Sequence, residues 1–363
     1  MRSAALGVMA ALVLGLSAFM LGDAVAPSSI ANAQEGEGWD VHRGGAQVVE
    51  EDTFTKASQQ EIPYLSIVRE IPGSTQTYEL QVFQTADHAL MPAGVRKPEG
   101  NGPFPAIIMS SGNGFNSFMR IDDAMYRYEP MIDMMIERGY VVVYGNYRNE
   151  IPQASNRYDR CDYVRDDISG GARALLNAPC LDHNDYVELI EHVKSLPFTD
   201  AAGVGTIGIS HSGELQMKAA GETSWGAAVP IEGASYELLA VDVDAVPRRE
   251  LGGEPRLLWL PTVEDAKRYA DLAKARQRIA RIDDDMPILH MGRDEDHLQG
   301  VFRLTYELSV EAGKNARWQS FNDELHGFGF LAREEDGSFD PPALRIEAFN
   351  TWMSFFDDHL KTD

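Results

Sequence analysis

One strand–turn–helix pattern constrains the fold of this chain more than any other feature of its sequence. Val204–Ile209 is rich in small and β-branched residues, which predicts a strand, and Glu214–Ala220 consists of good helix formers. Ser210 lies in the turn between them, with Gly208 two residues before it and Ser212 two residues after it. Small residues at those two positions let strand and helix approach each other, which is typical of a strained turn that presents a serine hydroxyl as a nucleophile.

Apolar runs that predict buried strands alternate with segments of helical periodicity along most of the chain. This alternation favours an α/β fold, with a mostly parallel central sheet and helices on both faces. The predicted strands are residues 78–83, 89–95, 105–109, 140–144, 204–209, 227–231, 287–291 and 318–321. The predicted helices are residues 122–138, 185–196, 214–220, 263–279, 298–311 and 343–360.

The N-terminus predicts a signal peptide, residues 1–33. Arg2 is followed by an apolar run without charge, residues 4–21, and residues 31–33 read Ala-Asn-Ala, a cleavage site of the A-x-A type. We therefore expect a secreted or periplasmic protein that starts at Gln34 after processing. An uncleaved segment that anchors the chain to a membrane is the alternative.

The mature chain is predicted to hold one catalytic domain, residues 78–363. A polar N-terminal extension, residues 34–77, is expected to pack on it without forming a core of its own. Within the domain, residues 236–282 interrupt the alternation of strands and helices. We expect this section to lie over the site as a cap.

The charge of the chain disfavours nucleic acid as a partner. Its 363 residues carry a formal net charge of −24, so phosphate would be repelled. The expected partner is a small-molecule or short-chain substrate, with no membrane involved unless the signal segment is retained.

The two cysteines, Cys161 and Cys180, agree with export. In an oxidising compartment a disulfide between them is favoured, and it would stabilise the fold by about 3 kcal/mol. Two reduced, buried thiols are the alternative.

Three of the predicted strands are followed by loops whose residues suit acyl transfer. Function gathers where the carboxyl ends of parallel strands meet. One loop is the Ser210 turn, the loop at 292–298 offers three carboxylates, and the loop at 324–328 contains His326. The order serine, acid, histidine matches that of hydrolases built on this topology.

Each of these residue types has a distinct role. Ser210 is a poor nucleophile at neutral pH and needs a base. His326 can take the hydroxyl proton and give it to the leaving group, while a carboxylate holds the ring in the right tautomer. Backbone N–H groups of Asn113, in the loop 111–114, and of His211 are predicted to stabilise the oxyanion.

Four motifs of the sequence fit one known family. They are Pro103-Phe104-Pro105 leading to Ser111-Gly112, Gly139-Tyr140-Val141-Val142-Val143 leading to Asn146-Tyr147-Arg148, the Ser210 turn, and His326-Gly327-Phe328. Together they resemble the α/β-hydrolase superfamily, and within it the dienelactone hydrolase and prolyl-oligopeptidase-like branch. The resemblance covers residues 78–360 and implies the α/β-hydrolase fold, with a triad of Ser210, His326 and one acid from residues 294–296.

The chain departs from the family pattern at three positions. Ser111 stands where the family usually has His, Ser212 where it has Gly, and Glu295 where the acid is often Asp. Counting along the loop from either end selects Glu295 as the acid of the triad. Asp296 is the close alternative, and the further carboxylate candidates are Asp294 and Glu232.

The predicted function is an exported serine hydrolase that cleaves an ester bond through an acyl-enzyme on Ser210. No cofactor and no metal are expected, because the Asp-His pairs at 182–183 and 296–297 lack the other ligands of a zinc site. A peptidase of the prolyl-oligopeptidase-like type is the first alternative, disfavoured because full members of that type carry a large β-propeller. A hydrolase fold that only binds is the second, although such proteins usually lose a residue of the triad.

Overall fold

The computed structural model describes residues 65–85, 90–112, 121–147, 178–251 and 254–361. Several sequence predictions lie outside them: the signal peptide at 1–33, the oxyanion donor Asn113, and Cys161. The side chain of Cys180 is not described either. The signal peptide and the disulfide therefore stay predictions.

The described strands form one large sheet and one separate pair. Their bounds are β1 (Leu65–Glu70), β2 (Thr77–Gln84), β3 (Leu90–Arg96), β4 (Phe104–Ser110), β5 (Val141–Gly145), β6 (Thr199–Ile209), β7 (Ala227–Ile231), β8 (Arg248–Leu251), β9 (Glu254–Leu258), β10 (Ile288–Arg293) and β11 (Ala316–Phe321). The nine-stranded sheet has the order β1-β2-β3-β5-β4-β6-β7-β10-β11, and β8 pairs with β9. Pairing is antiparallel from β1 to β5 and parallel from β5 to β11. The predicted mostly parallel sheet is confirmed.

Most of the described helices follow the predicted segments. Their bounds are α1 (Ile121–Arg127), α2 (Glu129–Glu137), α3 (Ala178–Ser195), α4 (His211–Ala219), α5 (Val263–Tyr269), α6 (Leu272–Ile279), α7 (Gln299–Glu311) and α8 (Ala343–Leu360). None of the described helices combines the length and the apolar character that crossing a lipid bilayer requires.

Two segments predicted as single helices are each divided in two. Residues 122–138 form α1 and α2, because Pro130 has no N–H with which to continue the hydrogen-bond ladder of a single helix. Residues 263–279 form α5 and α6. There the backbone of Ala270 is extended, and the Asp271 carboxylate accepts hydrogen bonds from the N–H groups of Ala273 and Lys274, which starts a new helix.

Apolar residues fill both faces of the sheet. In β5, Val141 and Val143 belong to one core cluster, whereas Val142 and Tyr144 belong to the other. This explains why the parallel strands are continuous apolar runs, since both of their faces are buried. Helices α3, α4 and α7 contribute side chains to the first cluster, and α1, α2 and α8 contribute to the second.

The strand register places the predicted functional loops side by side. Ile209 of β6 pairs with Ile231 of β7, and Ile231 pairs with Met291 of β10. Ser210 and Glu232, the residues that follow the first two, therefore leave the sheet at the same level. The end of β10 in turn pairs with the end of β11, so the carboxyl ends of four neighbouring strands meet at one edge.

The edge and the inserted section add elements that the sequence reading did not resolve. β1, within the predicted N-terminal extension, pairs with β2 and becomes the edge strand of the sheet. The section 236–282 contains β8, β9, α5 and α6. It is joined to the start of α7 and to the loop before it by two backbone hydrogen bonds: the Leu260 N–H donates to the His297 carbonyl, and the Gly300 N–H donates to the Leu260 carbonyl. Its role as a cap stays a prediction.

Candidate active site

Ser210 occupies a strained turn between β6 and α4. Its φ of 56° and ψ of −113° lie in a region that non-glycine residues rarely adopt. Three backbone hydrogen bonds hold it there: the Ser210 N–H donates to Ile231 O, and the Ser210 carbonyl accepts from Glu214 and Ala234. Strain of this kind persists only where the surroundings impose it, and it is concentrated at functional sites.

The two small residues around Ser210 have different reasons to be small. A Cβ at Gly208 would lie 2.7 Å from Ser212 Oγ and 2.9 Å from its backbone carbon, so the approach of strand and helix requires glycine. Ser212 is fully buried, and its Oγ lies 2.7 Å from the carbonyl oxygen of Ser110 and 3.0 Å from that of Ile209. The departure from the usual Gly therefore adds a hydrogen bond between the nucleophile turn and the end of β4.

The loop that leaves β4 passes directly against the nucleophile. A Cβ at Gly112 would lie 2.7 Å from Ser210 Cβ, which leaves room only for glycine there. Two tyrosine hydroxyls hold the preceding residue: Tyr144 donates to Ser111 Oγ at 2.8 Å and Tyr147 donates to Ser111 O at 2.9 Å. Ser111 is thus held beside the turn of Ser210, and the predicted oxyanion donor Asn113 lies beyond the described residues.

His211, the other predicted oxyanion donor, is the first residue of α4. The N–H groups of the first turn of a helix are not used within the helix, and the position of His211 directly after Ser210 agrees with the predicted donor role. Its imidazole serves a different purpose, because Nε2 lies 2.6 Å from Oδ2 of the buried Asp182. Burial lowers the pKa of His211, but the Asp182 carboxylate outweighs it and raises that pKa to about 10.

His326 lies between two buried carboxylates. Its Nδ1 is 3.1 Å from Asp296 Oδ2 and 3.2 Å from Glu232 Oε2. Asp296 is 5% exposed and Glu232 is fully buried. These two acids follow β10 and β7, so the ring is held by the ends of two adjacent strands.

The structure does not bring Glu295 beside His326. Glu295 and Asp294 are both exposed, and Asp294 accepts a hydrogen bond from Ser320 at 2.6 Å. Asp296 points inward instead: its Oδ1 accepts from the N–H of Leu298 at 2.7 Å, which leaves Oδ2 toward the imidazole. Four carboxylates were candidates from the sequence. Of these, Asp296, the close alternative, and Glu232, the most distant candidate, are the two that lie at the His326 ring.

Sequence reasoning missed Arg293, which lies at the end of β10 and is 7% exposed. Its Nε donates to Glu232 Oε1 at 2.7 Å, another of its nitrogens donates to Asp296, and Nη1 donates to the Glu324 carbonyl. The guanidinium therefore bridges both acids and compensates part of their charge. The only indication of Arg293 in the sequence was its position as a positively charged residue at the end of a mostly apolar strand.

Burial and charge set the protonation states of this cluster. Burial lowers the pKa of His326, but the charges of Glu232 and Asp296 outweigh it, and that pKa lies above its ordinary value. Burial raises the pKa of Glu232. Burial would do the same to Asp296, but the hydrogen bond and charge of His326 hold the pKa of Asp296 well below its usual range. Asp296 is thus the more persistent anion of the two.

The described residues include one group with the donor set of a metal site: Glu232, Asp296 and His326. Arg293 already donates hydrogen bonds to both of these carboxylates. A metal ion would have to sit beside this buried positive charge, so the donor set fits a resident cation poorly.

Ser210 and His326, the predicted nucleophile and base, are close in the fold but are not joined by a hydrogen bond. Gly327, the residue after His326, lies against the residue before Ser210, since a Cβ at Gly327 would be 3.1 Å from Ile209 Cγ2. Among the described residues, no hydrogen bond of the Ser210 hydroxyl is found. Such bonds are commonly long in the absence of substrate and tighten in the reacting complex.

A cavity of about 580 Å³ lies beside the C-terminal end of α4, away from Ser210. Lys218, Tyr236, Val241 and Arg278 are among the residues that line it. Lys218 also contacts Glu237 and lies 3.7 Å from Asp182, the partner of His211. Lys218 therefore connects the wall of the cavity to the pair of Asp182 and His211.

One solved structure decides the fold. Acetyl xylan esterase 1 from Thermoanaerobacterium sp. matches with a TM-score of 0.51 and 18% identity, over 86% of this chain and 93% of its own. This chain has the α/β-hydrolase fold. The predicted fold class is thereby confirmed. No protein-family model matches the sequence, and no curated protein matches it either.

Two peptidases match at lower TM-scores. Dipeptidyl peptidase 4 from Porphyromonas gingivalis matches at 0.49 with 15% identity, over 78% of this chain and 35% of its own. Acylaminoacyl peptidase from Pyrococcus horikoshii matches at 0.47 with 17% identity, over 87% of this chain and 45% of its own. The α/β-hydrolase chain described here thus spans less than half the length of either peptidase.

Proposed function

We propose that this protein is a serine hydrolase that cleaves an ester bond through an acyl-enzyme on Ser210. One observation carries the proposal: the strained Ser210 turn lies at the same sheet edge as His326, whose Nδ1 is held by buried carboxylates. A histidine with one nitrogen fixed in this way presents the other as a base.

The reaction follows from the positions of these side chains. The Ser210 hydroxyl attacks the ester carbonyl while His326 Nε2 accepts its proton and then gives it to the leaving alcohol. Asp296 keeps the proton of the neutral ring on Nδ1 and stabilises the imidazolium that forms. Water, activated by the same histidine, then hydrolyses the acyl-enzyme.

The oxyanion of the tetrahedral intermediate needs hydrogen-bond donors that are already in place. The His211 N–H at the start of α4 supplies one, and the N–H of Asn113 in the loop after β4 is proposed as the other. The hydrogen bonds from Tyr144 and Tyr147 to Ser111 support this proposal, because a donor that follows a fixed residue needs less reorganisation during the reaction. Each such donor contributes roughly 3 kcal/mol to stabilising the transition state.

An ester is proposed over a peptide because of how the matched proteins are built. The acetyl xylan esterase is matched over 93% of its own chain, so almost all of an esterase is represented in this chain. Export to the periplasm or beyond is likewise proposed, and it is supported by the signal-like segment 1–33.

The proposal is tested by covalent labelling and by substrate preference. A fluorophosphonate probe should label the folded protein at Ser210, and Ser210→Ala should not be labelled. Turnover of p-nitrophenyl esters should exceed that of aminoacyl nitroanilides. Turnover of anilides alone would favour a peptidase, and absence of labelling together with absence of turnover would favour a protein that only binds.

A further inference from the structure

Two carboxylate oxygens lie at nearly equal distances from Nδ1 of His326. Asp296 Oδ2 lies at 3.1 Å and forms a hydrogen bond with Nδ1, whereas Glu232 Oε2 lies at 3.2 Å as a close electrostatic contact. A neutral ring has a single proton on Nδ1 to donate. A triad needs only one carboxylate for this purpose. The second carboxylate therefore requires its own explanation.

Glu232 is built into the site rather than placed there by chance. It follows β7 with a φ of 48°, a left-handed conformation that is uncommon for a non-glycine residue. Its N–H donates to the carbonyl of Met291 at 2.7 Å, which binds it to the neighbouring strand β10. Its Oε2 accepts the N–H of Gly327, so the carboxylate that contacts the ring of His326 also holds the backbone beside it.

The charges around His326 allow both acids to be buried. Arg293 carries one positive charge between the two carboxylates, so the group has a net charge of −1 when the imidazole is neutral. It becomes neutral when the imidazole is protonated, which is the state reached during acyl transfer. The other rings facing His326 are His297, 6.0 Å away between centroids, and Phe302, 6.3 Å away. Burial lowers the pKa of His297.

We propose that Glu232 is a second positioning acid for His326, able to hold the Nδ1 proton when the Asp296 carboxylate is lost. This role rests on the proposed function, because it concerns the base of that reaction. No covalent step is added: the proton stays on Nδ1 and only its acceptor changes. Glu232 also raises the affinity of His326 for its second proton, since it is a buried negative charge at 3.2 Å.

The test compares four variants by their kcat/KM for the best p-nitrophenyl ester and by its pH profile. They are Asp296→Asn, Glu232→Gln, the double variant, and Glu347→Gln on the exposed face of α8 as a control. Loss of the only acid of a triad costs about 10⁴-fold in rate. We expect Asp296→Asn to lose about 10- to 100-fold, because Glu232 remains, and the double variant to lose about 10⁴-fold. Glu347→Gln should match the parent.

The pH profile separates positioning from a structural role. Glu232→Gln should move the acidic limb of kcat/KM to lower pH, because His326 loses a neighbouring negative charge. The proposal is overturned if Asp296→Asn loses as much kcat/KM as the double variant and Glu232→Gln leaves the acidic limb of the pH profile where it is in the parent. If Glu232→Gln does not fold, Glu232→Asp takes its place, and it should move the acidic limb in the same direction by a smaller amount, because its shorter side chain places the negative charge farther from Nδ1.

One measurement does not depend on turnover. The pKa of the His326 ring, followed by NMR in the Ser210→Ala protein, should fall when Glu232→Gln is added and should not change with Glu347→Gln. A protein that shows no labelling and no turnover would refute the proposed function while this shift still tests the contact with Glu232. An unchanged His326 pKa would overturn the contact even in an active enzyme.

Discussion

The hydroxyl of Ser212 lies 2.7 Å from the carbonyl oxygen of Ser110, and this hydrogen bond joins the nucleophile turn to the strand that carries the proposed oxyanion loop. Both residues are fully buried. Ser212, two residues after Ser210, therefore does more than leave space for the strand and the helix to approach each other. It fixes the distance between two parts of the site that belong to different strands.

Replacing Ser212 should affect both stability and rate. Ser212→Ala leaves the Ser110 carbonyl without this donor, so we expect a loss of about 1–2 kcal/mol in the free energy of unfolding and a several-fold fall in kcat. Ser309→Ala is the matched control, because the buried Ser309 hydroxyl also donates to a carbonyl, that of Thr305 in α7. It should lose similar stability in urea titrations without losing rate. An unchanged kcat in Ser212→Ala would contradict the positioning role.

The strain at Ser210 should be visible in the stability of its variants. At a φ of 56° and ψ of −113°, glycine avoids a steric cost that alanine retains. Ser210→Gly should therefore be more stable than Ser210→Ala by about 1 kcal/mol or more, measured by urea unfolding. At Ser309, inside α7, the order should reverse, because alanine is favoured over glycine within a helix. Equal stability of the two Ser210 variants would mean that the turn is not strained.

Removing the Arg293 cation should strongly destabilise the fold. Arg293→Met leaves Glu232 and Asp296 buried together without their bridge, and we expect a loss of about 3–5 kcal/mol near neutral pH. The carboxyl pKa values in this variant should rise, so stability should recover as the pH falls and protons bind the folded state. Arg276→Met, which removes an exposed ion pair with Glu311, should change stability little. A loss that does not depend on pH would argue against unpaired carboxylates as its cause.

The pair of His211 and Asp182 should make stability depend on pH in the alkaline range. Because the folded protein holds the pKa of His211 at about 10, above the ordinary 6.5, the pair contributes fully below about pH 6.5 and its contribution is lost as the pH rises toward 10. The difference in unfolding free energy between the parent and His211→Gln should shrink over that window.

His290 is the contrasting case, because burial lowers its pKa to about 3. Its effect on stability should therefore appear below about pH 6.5, where the unfolded state binds the proton more tightly than the folded state. The difference between the parent and His290→Gln should grow as the pH rises from about 3 to about 6.5 and then stay level. If the stability differences of His211→Gln and His290→Gln changed with pH in the same way, at least one of the two pKa directions would be wrong.

The parallel strands and the Ser210 turn could be predicted from the local sequence. β7 has the predicted bounds, because a strand buried on both faces is an uninterrupted apolar run, here between Gly226 and Glu232. β1 was not predicted as part of the sheet, since all six of its residues are exposed at the edge and no burial pattern marks it. One of the two helix breaks could have been predicted, because Pro130 indicates the break between α1 and α2.

The acid of the proposed triad could not be predicted from the spacing of residues in the sequence. Whether residue 295 or 296 faces the imidazole depends on where β10 ends and on the turn that follows, and the hydrogen bond from Leu298 to Asp296 decides it. The contact of Glu232 with His326 joins residues from strands distant in sequence and is visible only once β7, β10 and β11 are paired. Local pattern does not contain that information.

The base of the proposed reaction follows β11, the last strand along the chain and the one that completes the sheet beside β10. During synthesis the nucleophile turn therefore emerges from the ribosome long before its partner does. A partly made chain would carry a serine in place but no histidine to activate it. Such a chain would be inert toward esters until its final strand had been added.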